Sequence, residues 1–456
     1  MNFPEFSDIL EVVTLRNYNT ALVVLSTALL GIASGLIGAF LLLRKRSLMG
    51  DALSHATLPG IGIAFMIMVS LGYSGKSLPG LLAGASISGI AGVLLMLLIR
   101  NTTRLRDDVG MGFVLSVFFG IGVAVLSMAQ NIPGANAAGL ESFIYGKAAS
   151  IIMSDFVLIA GVAVFASIAS VLFLKEFTLL CFDEAFARSE GWPTLLLDIF
   201  ILILVTAVTV IGLQSVGLIL VIAFLITPPT AARFWTHKLT HMLLFSALFG
   251  LVSGWLGASI SALIPELPAG AVIVLVAASL FLISMMCAPA RGVIPRFLRQ
   301  SRLRKKVDRQ HFLRAAFELV EAQSNEVDGS VVNIPFSWEA LLKKRTWSAK
   351  KLKSILRVAQ REDHLEPAGQ GMLRLSEPGF GEAARVTRNH RLWETYLIKH
   401  ADIAPSHVDR DADMVEHILG AEMVRQLEAD LSKREVEVTM PPSPHQIQQS
   451  PAPTES

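Results

Sequence analysis

An aspartate and a histidine stand four positions apart, as Asp51 and His55, in the stretch RKRSLMGDALSHATLPG (44–60). Residues at this spacing lie on one face of an α-helix, about 6 Å apart along the axis, so a carboxylate and an imidazole can reach the same point. In a membrane, an unpaired aspartate costs about 2.5–3.5 kcal/mol at a helix centre. A divalent transition-metal ion would offset that cost, because both groups are suitable ligands. The spacing fits an alternative equally well, in which Asp51 reaches the membrane interface behind Arg44–Arg46 while His55 bonds a backbone carbonyl.

The charges of the chain are unevenly distributed. The 456 residues are 53% hydrophobic and 17% charged. Residues 1–290 hold 13 Lys and Arg and 14 Asp and Glu, whereas the remaining 166 residues hold 26 and 23. This pattern predicts a transmembrane domain over 1–290 and a soluble domain after it. The two cysteines lie far apart and indicate neither a disulfide framework nor a thiolate metal site.

The first 290 residues contain nine apolar segments near the length of about 20 residues that a membrane-spanning helix needs. The segments are Ala21–Leu43, Ala52–Leu71, Leu78–Ile99, Gly110–Met128, Ile151–Leu174, Leu195–Leu213, Val216–Ala232, Met242–Ile264 and Ala269–Cys287. The fold class is therefore predicted to be an all-α polytopic membrane domain. The adjacent prolines Pro228 and Pro229 are expected to break the seventh helix.

The basic residues of the connecting loops predict the orientation of these segments. One set of alternate loops holds ten Lys and Arg and the other set holds three, and the richer side faces the cytoplasm. The richer loops contain Arg44, Lys45, Arg46, Arg100, Arg104, Arg106, Lys175, Arg188, Arg233 and Lys238. This places the amino terminus outside and everything after Cys287 in the cytoplasm, as in a multi-pass protein of the bacterial inner membrane.

Two stretches resemble a transporter family. LLLRKRSLMGDALSHATLPGIGIAF and VGLILVIAFLITPPTAARF are similar to signatures of the ABC-type permeases that import manganese, zinc or iron delivered by an extracytoplasmic metal-binding protein, and the likeness extends over Asn19–Pro289. The resemblance implies a type II ABC importer-like fold and a permease homodimer or heterodimer. It also implies that Asp51 and His55 contact the transported ion, for which Mn²⁺ is expected and Zn²⁺ or Fe²⁺ are alternatives.

A transporter of this class needs an ATPase, but the sequence has no phosphate-binding loop of the form GxxxxGK[ST]. The ATPase subunit is therefore expected to be a separate protein, and this chain is not expected to be an enzyme. The polar loop EFTLLCFDEAFARSEGWP (176–193) is the predicted docking element and resembles the coupling helix of ABC importers. Its predicted coupling residues are Asp183, Glu184, Ala185, Arg188 and Gly191. The alternative is an ordinary solvated helix between two spans.

The cytoplasmic extension begins with a basic juxtamembrane linker, 291–308, whose charges favour contact with anionic membrane lipid. Residues 309–375 follow the order helix, helix, helix, hairpin, which predicts a winged helix. The hairpin is placed around Gly369–Gly371, and Ser348 is the predicted N-cap of the third helix. Residues 376–436 are predicted to form a further helical domain, and the Pro- and Gln-rich tail 437–456 to be disordered.

The stretch from Asn389 to Leu431 resembles the metal-binding and dimerisation region of the diphtheria-toxin-repressor family of iron- and manganese-dependent regulators. That resemblance implies a regulatory divalent metal. Its ligand positions correspond to His390, Asp413, Glu416 and His417, with His311 at a first-helix position where aspartate or methionine is usual, Asp409 where iron-type members have histidine, and Glu394 at a further ligand position. A carboxylate at Asp413 in place of cysteine favours Mn²⁺ over softer-ligand metals. Ordinary surface ion pairs are the alternative.

These features predict feedback, in which cytosolic metal binds the extension and changes transport. The third helix of the winged helix contains basic residues compatible with DNA phosphates, namely Lys350, Lys351, Lys353, Arg357 and Arg361. A membrane-tethered, metal-dependent transcription regulator is therefore the alternative, although a tethered protein cannot search a chromosome freely. A proton-coupled secondary transporter is a second alternative.

Overall fold

The computed structural model describes residues 11–12, 14–73, 77–132, 151–264, 267–324, 333–345, 347–369 and 371–400. The chain forms two compact units, Met1–Phe297 and Leu298–Ser456. The first unit is built from apolar helices, and the second combines helices with a small sheet.

Within the described part of the first unit, eight helices are long and apolar enough to cross a membrane. The helices of this unit are α1 (Tyr18–Leu43), α2 (Met49–Ser70), α3 (Leu78–Thr102), α4 (Asp107–Gln130), α5 (Met153–Leu172), α6 (Leu174–Phe182), α7 (Glu184–Ser189), α8 (Thr194–Val216), α9 (Leu218–Arg233), α10 (Leu239–Leu263) and α11 (Ala269–Cys287). The predicted polytopic all-α architecture is confirmed. The remaining predicted span corresponds to α9, which is apolar but has only 16 residues.

The expected break at Pro228–Pro229 is wrong, because both prolines lie inside α9. The backbone turns earlier, at Gly217, whose φ of +86° separates α8 from α9. Pro229 cannot donate a hydrogen bond to the carbonyl of Leu225, four residues before it. That carbonyl faces α1 at Gly38, where an added Cβ would lie 2.1 Å from the Leu225 oxygen. Because Gly38 has no side chain, α1 can pack directly against the carbonyl that Pro229 leaves free.

Helix α1 lies at the centre of the unit and packs against α5, α8, α9 and α10. Its closest approach to α10 pairs Gly31 with Gly250, and an added Cβ at Gly31 would lie 2.2 Å from the Gly250 carbonyl oxygen. Thr27 also donates a hydrogen bond to the carbonyl of Gly254 at 3.1 Å. In lipid, where apolar burial gives no drive for association, such backbone proximity and hydrogen bonding hold helices together.

Helices α2, α3 and α4 form a second packed group. Gly60 of α2 meets Gly84 of α3, and an added Cβ at Gly60 would lie 2.0 Å from the Gly84 carbonyl oxygen. Ser88 Oγ donates to the carbonyl of Ala56 at 2.6 Å. These contacts fix the helix that bears Asp51 and His55.

The second unit contains a winged helix, which confirms the predicted class. Its elements are α12 (Val293–Ser324, shared with the end of the first unit), β1 (Phe336–Ser337), α13 (Trp338–Lys344), α14 (Ala349–Arg361), β2 (Leu365–Pro367), β3 (Met372–Leu375) and α15 (Glu377–His400). The antiparallel sheet has the order β1-β3-β2. Ser348 caps α14 by accepting from the Lys351 amide at 3.3 Å, and Gly369 and Gly371 adopt positive φ in the wing.

Replacing Gly31 by alanine should destabilise the membrane domain. The new methyl group would collide with the backbone of α10, and overpacking of this kind costs about 1–3 kcal/mol. Equilibrium unfolding of the purified protein in mixed micelles measures the loss. Gly120→Ala on α4, where an added Cβ has nothing within 4 Å, is the control. Equal stability of the two variants would contradict the proposed α1–α10 contact.

Candidate metal site

The first two turns of α2 bring Asp51 and His55 together, as their spacing predicted. The Nε2 atom of His55 lies 3.3 Å from Oδ1 of Asp51. Their side chains are 18% exposed for His55 and 28% for Asp51. Asp51 lies in the first turn of the helix, where the unpaired backbone amides also favour a carboxylate. Both side chains are therefore mostly, but not fully, buried in the domain.

The other ring nitrogen of His55, Nδ1, is enclosed by the surrounding helices without a polar partner among the described residues. A proton on Nε2 would be donated to Asp51, which leaves the lone pair of Nδ1 directed away from the aspartate. Carboxylate-oriented imidazoles of this kind are common in metal sites. An imidazole nitrogen and carboxylate oxygens fit a divalent transition metal as cargo.

Two neighbours shape the surroundings of the pair. Phe119 of α4 packs edge-on against the His55 ring, with 4.9 Å between ring centroids. Pro59 lies inside α2 and cannot donate a hydrogen bond to the carbonyl of His55, four residues earlier. The ring of His55 is thus fixed by Asp51 and Phe119, while the backbone of α2 lacks one helical hydrogen bond at the same level.

A set of ion pairs lies beside the start of α2. We call it the guanidinium–carboxylate cluster, and its members are Arg44, Arg46, Arg100, Asp107, Glu184 and Asp198. Asp198 is its most buried carboxylate, with a side chain only 4% exposed. Arg46 donates from Nη1 to both of its oxygens, at 2.9 and 3.1 Å. Arg100 Nη1 donates at 2.8 Å, and Arg44 Nη2 lies 3.5 Å away.

The two other carboxylates lie at the edge of the cluster. Asp107 Oδ2 accepts from Arg46 Nε at 2.9 Å. Glu184 Oε2 accepts from Arg44 at 3.1 Å and from Arg100 at 3.2 Å. Three guanidiniums therefore face three carboxylates, which makes the burial of so many charges tolerable.

Burial and the neighbouring carboxylates shift the pKa values of the two loop arginines, Arg44 and Arg46, in opposite directions. Burial lowers the pKa of Arg44 and outweighs the opposing effect of Asp198. Burial also acts to lower the pKa of Arg46, but Asp198 and Asp107 outweigh it and raise that pKa above its usual value.

The structure places the five predicted coupling residues on or beside the short helix α7. Asp183 caps it by accepting from the Phe186 amide at 2.8 Å. Arg188 donates to Glu184 at 3.2 Å, Ala185 is exposed, and Gly191 follows with a φ of +81°. Of the five, only Glu184 belongs to the cluster.

Sequence reasoning missed Asp107 and Asp198. The only signal for Asp198 is a single acidic residue in an otherwise apolar segment, and an aspartate in such a position is expected to have a partner. Its partner Arg46 is 152 positions away, so no local pattern reveals the pairing.

In the second unit, His390 and Glu394 lie one turn apart on α15, with 3.1 Å between Nε2 and Oε1. Both are buried, at 3% exposure. The guanidinium of Arg314 contacts the His390 ring, and its Nε lies 3.5 Å from Glu318 Oε1. His311, also on α12, is half-buried. The ring of His390 therefore contacts both a cation, Arg314, and a carboxylate, Glu394.

The three other predicted ligands, Asp413, Glu416 and His417, lie outside the described residues, as does Asp409. Among the residues that are described, no group of three or more His, Cys, Asp and Glu side chains could hold a metal ion. His390 and Glu394 supply suitable donor atoms, but a divalent ion at this imidazole requires Arg314 to move. The described residues alone do not fit the regulatory metal.

The eight long apolar helices and the charge cluster at one end of them define a multi-pass membrane protein. The profile of the ABC 3 transport family matches residues 17–288, which is more than half of the chain. The chain belongs to that family. Residues 376–445 match a second profile, the iron dependent repressor metal-binding and dimerisation domain, so the predicted fusion of a permease with a regulator-like domain is confirmed.

Relatives with this family's architecture are described as metal transport proteins. The manganese transport system membrane protein MntC of Bacillus subtilis is 37% identical over 397 residues, which cover 87% of this chain and 88% of MntC. The zinc transport system membrane protein TroC of Treponema pallidum is 42% identical over 63% of this chain and 95% of its own length. The chelated iron transport system membrane protein YfeC of Yersinia pestis is 32% identical over 62% and 90%.

A solved structure shares the fold. It is PsaBC from Streptococcus pneumoniae in complex with Fab, which is 28% identical with a TM-score of 0.55 and covers 65% of this chain and 100% of that one. The similarity supports a permease fold for the membrane domain.

The half-buried thiol of Cys181, next to the cluster, gives a direct test of this packing. Burial, assisted by Asp198, raises the pKa of Cys181 to about 11, so only about one thiol in 3,000 is ionised at pH 7.5. Maleimide should therefore label the Cys287→Ser variant, which retains Cys181, far more slowly than the Cys181→Ser variant, which retains the exposed Cys287. Raising the pH to 8.5 should speed labelling of Cys181 about tenfold. Mass spectrometry measures both rates, and equal rates would contradict the burial of Cys181.

Proposed function

We propose that this chain is the membrane permease subunit of an ATP-driven importer of divalent transition-metal ions. The observation that carries the proposal is the Asp51–His55 pair, in which a carboxylate and an imidazole lie 3.3 Å apart within a domain of apolar helices. The relatives described as manganese, zinc and iron transport proteins support a metal as the cargo.

Mn²⁺ is the expected cargo, with Zn²⁺ and Fe²⁺ as alternatives. MntC of Bacillus subtilis, described as a manganese transport protein, resembles this chain over most of its length, including part of the extension. Asp51 contributes a hard oxygen donor, which suits Mn²⁺ better than softer metals, although imidazole accepts all three ions.

The partners follow from the class of transporter. A separate ATPase would dock at the loop around α7, and an extracytoplasmic metal-binding protein would deliver the ion. A second permease, identical or similar, would complete the path with its own carboxylate and imidazole. The basic loops favour an orientation in which α7 and the extension face the cytoplasm.

Removal of either member of the pair should abolish most of the metal uptake. We expect Asp51→Ala and His55→Ala each to lower the rate of Mn²⁺ accumulation by at least about tenfold, since metal sites lose this much even when an orienting partner of a ligand is removed. Cells that express the chain with its ATPase provide the measurement, with the total metal content read by mass spectrometry.

Two exposed residues of the same types serve as controls for those variants. Asp108→Ala on α4 and His241→Ala on α10 also remove a carboxylate and an imidazole, but from solvent-exposed positions. Both should leave accumulation unchanged. Normal accumulation of every metal in Asp51→Ala and His55→Ala would reject a role for the pair in transport.

We further propose that the extension senses cytosolic metal through Asp413, Glu416, His417 and His390, and thereby changes transport. Arg314 then acts as a competitor for the site. A guanidinium about 4 Å from a metal ion would repel it by about 4 kcal/mol for each positive charge on the ion, at an effective dielectric constant of about 20. Metal binding would require the guanidinium to leave His390.

Calorimetry on the Leu298–Ser456 unit tests the sensor. Mn²⁺ should bind, Glu416→Ala with His417→Ala should abolish binding, and Arg314→Gln should strengthen it at least about tenfold because the competing charge is gone. Lys344→Gln removes a more exposed cation that pairs with Glu318 and should have little effect. No binding by the unmodified unit would reject the sensor. Sequence-specific DNA binding by the same unit, through the exposed basic face of α14, would favour the alternative of a tethered regulator.

A further inference from the structure

The guanidinium–carboxylate cluster joins the proposed docking loop to the helix that bears the proposed metal pair. Its six side chains come from the loop between α1 and α2, the end of α3, the start of α4, α7 and the first turns of α8. Ion pairs at a protein surface contribute little to stability. This cluster differs from them because its central side chains are buried. Here Arg46 is 2% exposed and Asp198 4%.

Arg46 determines how α1 connects to α2. Its amide donates to the carbonyl of Leu41 at 2.9 Å, and its carbonyl accepts from the amide of Met49 at 3.0 Å. The preceding residue, Lys45, has a φ of +59°, which residues other than glycine rarely adopt. The bonds from the Arg46 side chain to Asp107 and Asp198 hold this tight turn in place. Arg46, three residues before the start of α2 and five before Asp51, is therefore anchored by carboxylates on α4 and α8.

Glu184 connects the same cluster to α7. Its carboxylate bonds to Arg44 and Arg100, and both of these guanidiniums also face Asp198. A movement of α7 that withdraws Glu184 leaves two partly buried cations with less opposite charge. Buried ion pairs that lose one member are strongly destabilised, so the cluster tends to rearrange as a unit.

We infer that Asp198 and Arg46 are positioning residues that transmit movements of α7 to α2 and so link engagement of the ATPase to the Asp51–His55 pair. The inference rests on the proposed function, because it assigns the cluster a role within an ATP-driven transport cycle. Neither residue contacts the ion. Both set the position of the helix that does.

The test separates coupling from transport and from hydrolysis. Proteoliposomes contain the full-length chain with its ATPase, and the metal-binding protein loaded with radioactive Mn²⁺ is added on the extracytoplasmic side. The quantity measured is the number of ions taken up per ATP hydrolysed. For Asp198→Asn we expect this ratio to fall about tenfold while ATP hydrolysis continues, which is a coupling loss of ordinary size.

Two adjacent residues of α4 provide a matched pair that does not depend on the fold tolerating a change at Asp198. Asp107→Asn removes the bond to Arg46 Nε and should also lower the ratio, by a smaller factor. Asp108→Asn removes only an exposed pair with Arg106 and should leave the ratio unchanged. If Asp198→Asn does not yield folded protein, the comparison of Asp107→Asn with Asp108→Asn decides whether the cluster has the coupling role.

The outcomes distinguish the two proposals. Absence of ATP-dependent uptake by the unmodified complex would reject the proposed function itself. Normal uptake by that complex, combined with an unchanged ratio in Asp107→Asn and in any folded Asp198→Asn protein, would overturn the coupling role and leave the transporter intact. A parallel loss of uptake and hydrolysis would also overturn it, because the cluster would then support only docking or folding.

Discussion

The pairing of Asp198 with three arginines is the interaction on which the arrangement of the membrane domain depends. A carboxylate with a side chain 4% exposed would be strongly disfavoured alone, and each guanidinium near it would be disfavoured without it. The mutual requirement fixes where the α1–α2 loop, the end of α3 and the start of α8 meet. Because Arg46 also forms the turn into α2, the same interaction determines where Asp51 and His55 stand.

Elsewhere the domain relies on close backbone contact rather than on charge. Gly31 against Gly250 and Gly60 against Gly84 bring α1 onto α10 and α2 onto α3. The two kinds of contact have different roles. Small residues allow helices to pack tightly but provide no charged groups. Ion pairs fix the position of a chain segment only when they are buried and their charges are balanced. Asp51 and His55 combine the two kinds of contact, because they follow the turn held by Arg46 and lie on a helix that packs through Gly60.

Much of this organisation was predictable from the sequence. Apolar segment length located the membrane helices, because the bilayer imposes it, and Gly369 and Gly371 located the wing because its turn needs positive φ. The strand β1 was missed, since two residues show no periodicity. The break at Pro228–Pro229 was wrong because Gly38 accommodates the freed carbonyl across a helix interface. The partners of Asp198 are 98 and 152 positions away for Arg100 and Arg46, so only the folded chain reveals them.

The proline within α2 has a mechanical consequence. A helix that lacks one hydrogen bond bends most easily at that level, and Pro59 removes the bond to the carbonyl of His55. The segment before it is tied to the charges around Asp198, while the segment after it is clasped to α3 at Gly60. The portion of α2 that contains Asp51 and His55 and the portion packed on α3 therefore meet at the level where the helix bends most easily.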